Sequence, residues 1–177
     1  MKKKTTVLIA MLLIVTMLFS GCSSGTESTG EVESLPQFTN EGTADSDYDV
    51  IVVGSDPEGI AAAVSAARNG MKTLLLSKDS TPGGLYTLGA LNFIDVPETR
   101  DGTTLVGGIY EDFVNAVGGS GFDIVNAANV FQDMLTAEEN ITVRYNAEFQ
   151  APVMNGTTIT GVTVLEDGQE VTYNAPY

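Results

Sequence analysis

The 177-residue sequence has no histidine, no tryptophan and one cysteine, Cys22. A single thiol cannot close a disulfide within the chain, build a thiolate zinc site or hold an iron–sulfur cluster. Without histidine there is no side chain whose charge ordinarily changes near neutral pH, so a His general base or His metal ligand must come from elsewhere. No metal site is expected. Basic residues are also scarce: eight Lys and Arg stand against 23 Asp and Glu, for a net charge of −15. Such a surface repels nucleic acid and anionic lipid headgroups, which excludes nucleic acid as an expected partner.

Three of the basic residues, Lys2, Lys3 and Lys4, stand at the start of the sequence. An uncharged apolar run follows over residues 7–19, shorter than the ~20 residues a spanning helix needs. It closes on Leu18-Phe19-Ser20-Gly21-Cys22. A basic head, a short apolar stretch and small residues at its end are the parts of a secretory signal. With the only cysteine directly after them, the segment resembles the lipobox of a bacterial lipoprotein. On that reading residues 1–21 are removed and Cys22 carries diacylglyceryl. An ordinary cleaved signal and an uncleaved anchor helix are the alternatives. The lipid reading places the protein at the cell membrane, on its extracytoplasmic face. Loss of the three lysines makes the mature chain more acidic still, so lipid and not a basic patch is the membrane link.

Residues 22–47 are rich in Ser, Gly, Thr and Glu and, beyond the lipidated Cys22, have no Lys, Arg or apolar period. This composition is expected to form a disordered tether. The folded domain is expected over residues 48–177, enough for one core. Residues 49–53 form a β-branched run typical of a buried parallel strand, and residues 58–69 an Ala-rich helix closed by Gly70. Residues 73–76 make a second short strand, completing a βαβ unit. Helices are expected over 104–117, with Leu105, Ile109, Phe113 and Val117 on one face, and over 123–139, with Val130, Met134 and Leu135 buried. Another strand is expected over 141–145. Beyond it, turn signals at Asn155-Gly156 and Asp167-Gly168 separate three short strands, the pattern of a β-meander.

The segment that carries chemistry is Gly54-Ser55-Asp56-Pro57-Glu58-Gly59, between the first strand and the first helix. That is the setting a dinucleotide fingerprint requires. Gly54 permits the tight turn out of the strand. Gly59 permits close helix–strand packing. The helix start offers unpaired N–H groups and a positive dipole end to a pyrophosphate. The same acids, Asp56 and Glu58, also stabilise a helix start by ~0.3–1 kcal/mol each with no ligand at all.

Together with Ile60-Ala61-Ala62-Ala63, Lys72-Thr73-Leu74-Leu75-Leu76 and Pro82-Gly83-Gly84-Leu85-Tyr86, this Gly-x-x-Pro-x-Gly fingerprint resembles bacterial FAD-dependent oxidoreductases. Their N-terminal domain is similar to that of the flavoprotein subunit of heterodisulfide reductase. The resemblance implies an α/β fold: a Rossmann-like FAD-binding βαβ sheet with helices and a β-meander. It implies FAD as cofactor, with Gly54, Ser55, Asp56, Pro57, Glu58 and Gly59 at the phosphates. Gly83 and Gly84 would lie near the ribityl and pyrophosphate, Ser77 and Lys78 beyond the second strand, and Phe149 by the adenine. Two positions depart from the pattern. Asp56 replaces the middle glycine, and Ser77 stands where an acid would bond the ribose; Asp79 comes two residues later.

Family members continue with a strand that returns to the nucleotide sheet and with a substrate domain. This sequence reaches Asn174-Ala175-Pro176-Tyr177 before either, so the domain is expected to be C-terminally incomplete, a fragment or a degenerate copy. No catalytic residue is assigned. The expected function is the FAD-binding portion of a membrane-tethered oxidoreductase acting on an unknown small-molecule substrate or electron donor. The alternative is a non-catalytic or degenerate nucleotide-binding lipoprotein. Asp56 and Ser77 favour the second; Gly54, Gly59, Gly83 and Gly84 favour the first.

Overall fold

The computed structural model describes residues 33–177; the expected leader, Cys22 and the first part of the tether lie outside the described residues. Three short parallel strands form one sheet: β1 (Val50–Val53), β2 (Thr73–Leu76) and β3 (Ile141–Arg144), in the order β1-β2-β3. The register pairs Val50 with Thr73 and Thr73 with Ile141. A second, antiparallel sheet is the meander β4 (Ala147–Asn155), β5 (Thr158–Glu166) and β6 (Gln169–Asn174). Among the described residues three α-helices complete the fold: α1 (Pro57–Arg68), α2 (Ile109–Val117) and α3 (Ile124–Thr136).

The centre of the fold is β2. All four of its residues are buried, as a strand covered on both faces must be. Leu75 joins Ile60, Val64, Phe113, Phe131 and Leu135 in a core shared with the helices. Its neighbours Leu74 and Leu76 turn the other way, onto Tyr48, Val162, Val164 and Tyr173 beside the meander. The period-2 alternation of a strand thus sorts three consecutive leucines between two cores. Fully burying one such side chain is worth ~1.5–3 kcal/mol. A buried ion pair ties the meander to the parallel sheet: Arg144 Nε donates to Glu166 Oε1 at 2.7 Å, and Tyr173 Oη donates to Glu166 Oε2 at 2.6 Å.

Two expectations are corrected. The first helical turns expected over 104–108 do not form. Gly108 takes φ +65 as the cap of α2, which starts at Ile109, and Leu105 is 64% exposed. Consecutive Gly107 and Gly108 outweigh the apolar spacing that placed Leu105 on the helix face. The tether expected through Asp47 also ends earlier. Phe38 N–H donates to the Ser80 carbonyl at 2.8 Å, and Arg144 Nη1 donates to the Gly42 carbonyl at 3.1 Å. Ala44 packs against the meander core. Average composition conceals residues here, Phe38, Asn40 and Ala44 among them, that have partners on the domain.

The last residues lie along the outer side of β1. Asp47 and Asn174 form a parallel bridge. Ile51 N–H donates to the Tyr177 carbonyl at 3.0 Å. Val53, one strand repeat further on, is exposed.

Candidate functional site

At the C-terminal ends of β1 and β2 lies a cleft of about 710 Å³, within the size range of small-molecule sites. The outer ends of parallel strands are where open α/β sheets ordinarily bind ligands. Its floor is Val53, Gly54, Ser55 and Asp56; Leu76, Lys78 and Asp79 form one wall and Ala147, Glu148 and Phe149 another, the two meeting where Ala147 N–H donates to the Ser77 carbonyl at 2.8 Å. Gly84, Leu85, Leu88 and Gly89 close the remaining side.

The floor is fixed by backbone bonds. Gly54 N–H donates to the Leu76 carbonyl at 2.8 Å and Gly83 N–H to the Ser55 carbonyl at 2.8 Å. The fingerprint turn is therefore tied to both the second strand and the paired-glycine loop. Close approach requires glycine at Gly59, where a Cβ would stand 2.1 Å from the Gly54 carbonyl oxygen.

The helix start fits a phosphate. Asp56 occupies the N-cap of α1, with Pro57 in the first turn, but its side chain makes no capping hydrogen bond. An N-cap aspartate ordinarily accepts from the N–H groups two and three residues on, here those of Glu58 and Gly59. The Asp56 carboxylate lies instead against Gly84, where a Cβ would come within 1.5 Å of its Oδ1. Gly84 thus makes the room into which Asp56 turns, leaving the helix N–H groups without their usual side-chain acceptor. Gly83 is hemmed by α3, since a Cβ there would meet Phe131 at 2.5 Å.

Ser77 is only 1% exposed. Its hydroxyl donates to the Asp79 carbonyl at 2.7 Å and lies 2.6 Å from Ser55 Oγ. Having one proton, already given to Asp79, Ser77 accepts from Ser55. Its hydroxyl is spent inside the fold, and Lys78 and Asp79 line the cleft in its place. Phe149 stands in the wall that begins at Ala147, 43% exposed, beside a register shift in the β4–β5 ladder. Such a bulge re-aims the side chains around it.

Of the residues named from sequence, Gly54, Ser55, Asp56, Lys78, Gly84 and Phe149 line the cleft together. Gly59 and Gly83 act behind its surface through close packing. Pro57 and Glu58 face a separate apolar groove, with Ile60, Tyr86, Tyr110 and Phe131. Sequence reasoning does not assign Asp79, Leu85, Leu88 or Glu148 to the site. Leu85 follows the paired glycines and Glu148 adjoins Phe149, the signals that place them here. The lining carries three carboxylates, Asp56, Asp79 and Glu148, and one ammonium, Lys78. An anionic ligand must therefore rely on backbone N–H groups more than on side-chain charge.

Comparison with known proteins agrees with this geometry. A family model described as FAD dependent oxidoreductase matches residues 49–177. Protein FixC of Azotobacter vinelandii is 38% identical over 63 residues, which cover 33% of this chain and 15% of that relative. An alkyl hydroperoxide reductase component of Escherichia coli (strain K12) is 42% identical over 62 residues, which cover 35% of this chain and 12% of that relative. The chain thus spans only a small part of the length of either relative. Among solved structures, THI4 of Thermovibrio ammonificans superposes with a TM-score of 0.55 at 19% identity, over 74% of this chain and 55% of that one. The structural likeness is of fold: a Rossmann-like α/β domain, of which this chain forms a part.

Proposed function

Because this chain belongs to the family of FAD-dependent oxidoreductases, we propose that it is the FAD-gripping portion of an oxidoreductase held at a membrane surface by lipid on Cys22. FAD, when bound, supplies hydride or electron transfer. The chain's own residues supply the grip. The observation that carries this reading is the uncapped start of α1 beside the cleft, with Asp56 turned onto Gly84. The N–H groups of Glu58 and Gly59 would donate to the pyrophosphate, helped by the helix dipole. Lys78 would lie toward the ribose, and Phe149 would offer an aromatic face to the adenine. Leu85 and Leu88 would exclude water from the remaining side.

The membrane tether rests on the basic head, the apolar run and Leu18-Phe19-Ser20-Gly21-Cys22. It would hold the domain at the extracytoplasmic face of the cell membrane. The substrate or electron donor would be a small molecule that reaches the flavin.

A second reading is a non-catalytic nucleotide-binding lipoprotein. It is favoured by the acidic lining and by Ser77, whose hydroxyl is engaged within the fold. Titration of the full chain in mild detergent with FAD, followed by flavin fluorescence, tests the leading reading. FAD should bind saturably, with ADP competing. Asp56→Gly should tighten FAD several-fold by removing a like charge near the phosphates, an interaction of roughly 1 kcal/mol at 4 Å in water. ADP binding without FAD binding would favour the second reading, and binding of neither would refute both.

A further inference from the structure

Residues 36–40 meet both walls of the cleft from behind. On one side they hold the loop after β2. Phe38 N–H donates to the Ser80 carbonyl at 2.8 Å, Thr81 Oγ1 donates to the Pro36 carbonyl at 2.6 Å, and Gln37 Nε2 donates to Thr81 Oγ1 at 3.1 Å. Gln37 Oε1 also accepts from Ser80 Oγ. Ser80 directly follows Lys78 and Asp79, the wall of the cleft. On the other side the Asn40 amide behaves as a neighbouring strand. Its Oδ1 accepts from Tyr145 N–H at 2.6 Å and its Nδ2 donates to the Tyr145 carbonyl at 3.2 Å. Tyr145 lies just beyond the end of β3 and just before Ala147, where the second wall begins.

We infer that residues 36–40 are a clasp for the nucleotide cleft, with Gln37 and Asn40 as positioning residues that fix the separation of the Lys78–Asp79 wall from the Ala147–Phe149 wall. The inference rests on the FAD reading. The two walls meet at their base, where Ser77 N–H donates to the Arg144 carbonyl and Ala147 N–H to the Ser77 carbonyl, each at 2.8 Å, and only beyond those bonds do they leave the parallel sheet. The loop beyond Leu76 leaves β2, and the link through Tyr145 and Asn146 passes from one sheet to the other, with Asn146 at φ +54. Beyond that shared bond, Lys78–Asp79 and Glu148–Phe149 could still swing relative to each other. One short segment bonded beside both walls removes that freedom before the ligand arrives, which is how preorganisation raises affinity. The bonds join residues far apart in sequence, so no local turn accounts for them. Linkage makes the effect reciprocal: a ligand that spans the two walls must also hold the clasp in place.

The experiment compares the full chain with Gln37→Ala and Asn40→Ala, in detergent, by titration with FAD and with FMN, which lacks the adenosine half. Circular dichroism verifies the fold of each variant. In wild type, FAD should slow amide hydrogen exchange at Phe38 and Tyr145. Asn40→Ala, which removes both bonds to Tyr145, should raise the Kd for FAD about tenfold or more and leave the weaker binding of FMN unchanged. Gln37→Ala should raise it about threefold by the same reasoning. If Asn40→Ala does not fold, the exposed Gln37 and the exchange measurement decide the matter. Folded variants with wild-type affinity, or unchanged exchange on adding FAD, would overturn the clasp while leaving the FAD reading intact. Equal loss for FAD and FMN would also overturn it, since the segment would then support the fold as a whole. A wild-type chain that binds no FAD would overturn the FAD reading and this inference together.

Discussion

Replacing Gly59 with alanine should destabilise the domain and weaken FAD, although the same change in an exposed helix stabilises. The methyl group would stand 2.1 Å from the Gly54 carbonyl oxygen and 3.0 Å from its carbonyl carbon. Both are backbone atoms and cannot rotate away. Non-bonded carbon contacts are most favourable near ~3.5 Å, so α1 must withdraw from β1 by more than ~1 Å. Its buried side, Ile60, Ala63, Val64 and Ala67, would move with it and lose contact with Leu75 and the helices beyond. Overpacking of this kind costs ~1–3 kcal/mol. The helix-propensity gain of alanine over glycine offsets at most ~1 kcal/mol. With that gain fully realised the net expectation is a loss of up to ~2 kcal/mol. The helix start would also shift relative to Gly84, so FAD affinity should fall in parallel. Urea denaturation with FAD titration on the same preparation makes the check. A variant with an equal or higher midpoint, an unchanged slope and wild-type affinity would refute the argument that this glycine is fixed by helix–strand contact.

Three further perturbations have worked expectations. Glu166→Ala leaves Arg144, whose side chain is 11% exposed, buried without its partner, and should cost ~3–5 kcal/mol; Glu166→Gln, which keeps a hydrogen-bond acceptor for Tyr173, should cost less, as urea midpoints will show. Burial pushes the Tyr145 hydroxyl well above its ordinary 10.0, and burial together with the bond to Glu166 does the same for Tyr173. The folded state thus keeps these protons after the unfolded chain has lost them, so stability is unaffected below pH ~10 and falls above it, by up to ~1.4 kcal/mol per pH unit for each group. Tyr145→Phe should make that alkaline loss shallower, and an unchanged slope would contradict it. Cys22→Ala should remove the diacylglyceryl mass and the membrane fractionation of the chain expressed in cells; a wild-type chain with neither would end the lipoprotein reading.

The parts of the fold legible in the sequence are those where one physical signal stands alone. Thr73–Leu76, a β-branched threonine followed by three leucines, forms β2 over those residues. Asp167-Gly168 links β5 to β6 with both residues at positive φ, as the residue types demand. Gly54 and Gly59 mark the fingerprint because few other contexts place glycines on either side of a strand-to-helix turn. The readings that failed are those where signals compete. Leu105 fits a helical period, yet Gly107 and Gly108 interrupt the helix that would use it. Phe38 and Asn40 stand in a segment whose average composition is that of a linker, and their partners, Ser80 and Tyr145, are distant in sequence. The turning of Asp56 onto Gly84 belongs to the same class: each residue has a role of its own in the pattern, but their contact depends on how the paired-glycine loop folds back over the helix start.

The burial of β2 on both faces has a kinetic consequence. Leu75 needs the helices for its cover, Leu74 and Leu76 need β5 and β6, and the strand's second edge needs β3. Only β1 and α1, of all these partners, lie close to β2 in sequence. The rest arrive from residue 109 onward, with Tyr173 of the meander core among the last. Non-local closure of this kind is slow. A chain delivered N-terminus first would hold three consecutive leucines uncovered until nearly all of it had emerged. During that interval the uncovered leucines favour self-association, and holding chaperones at the point of emergence would act there.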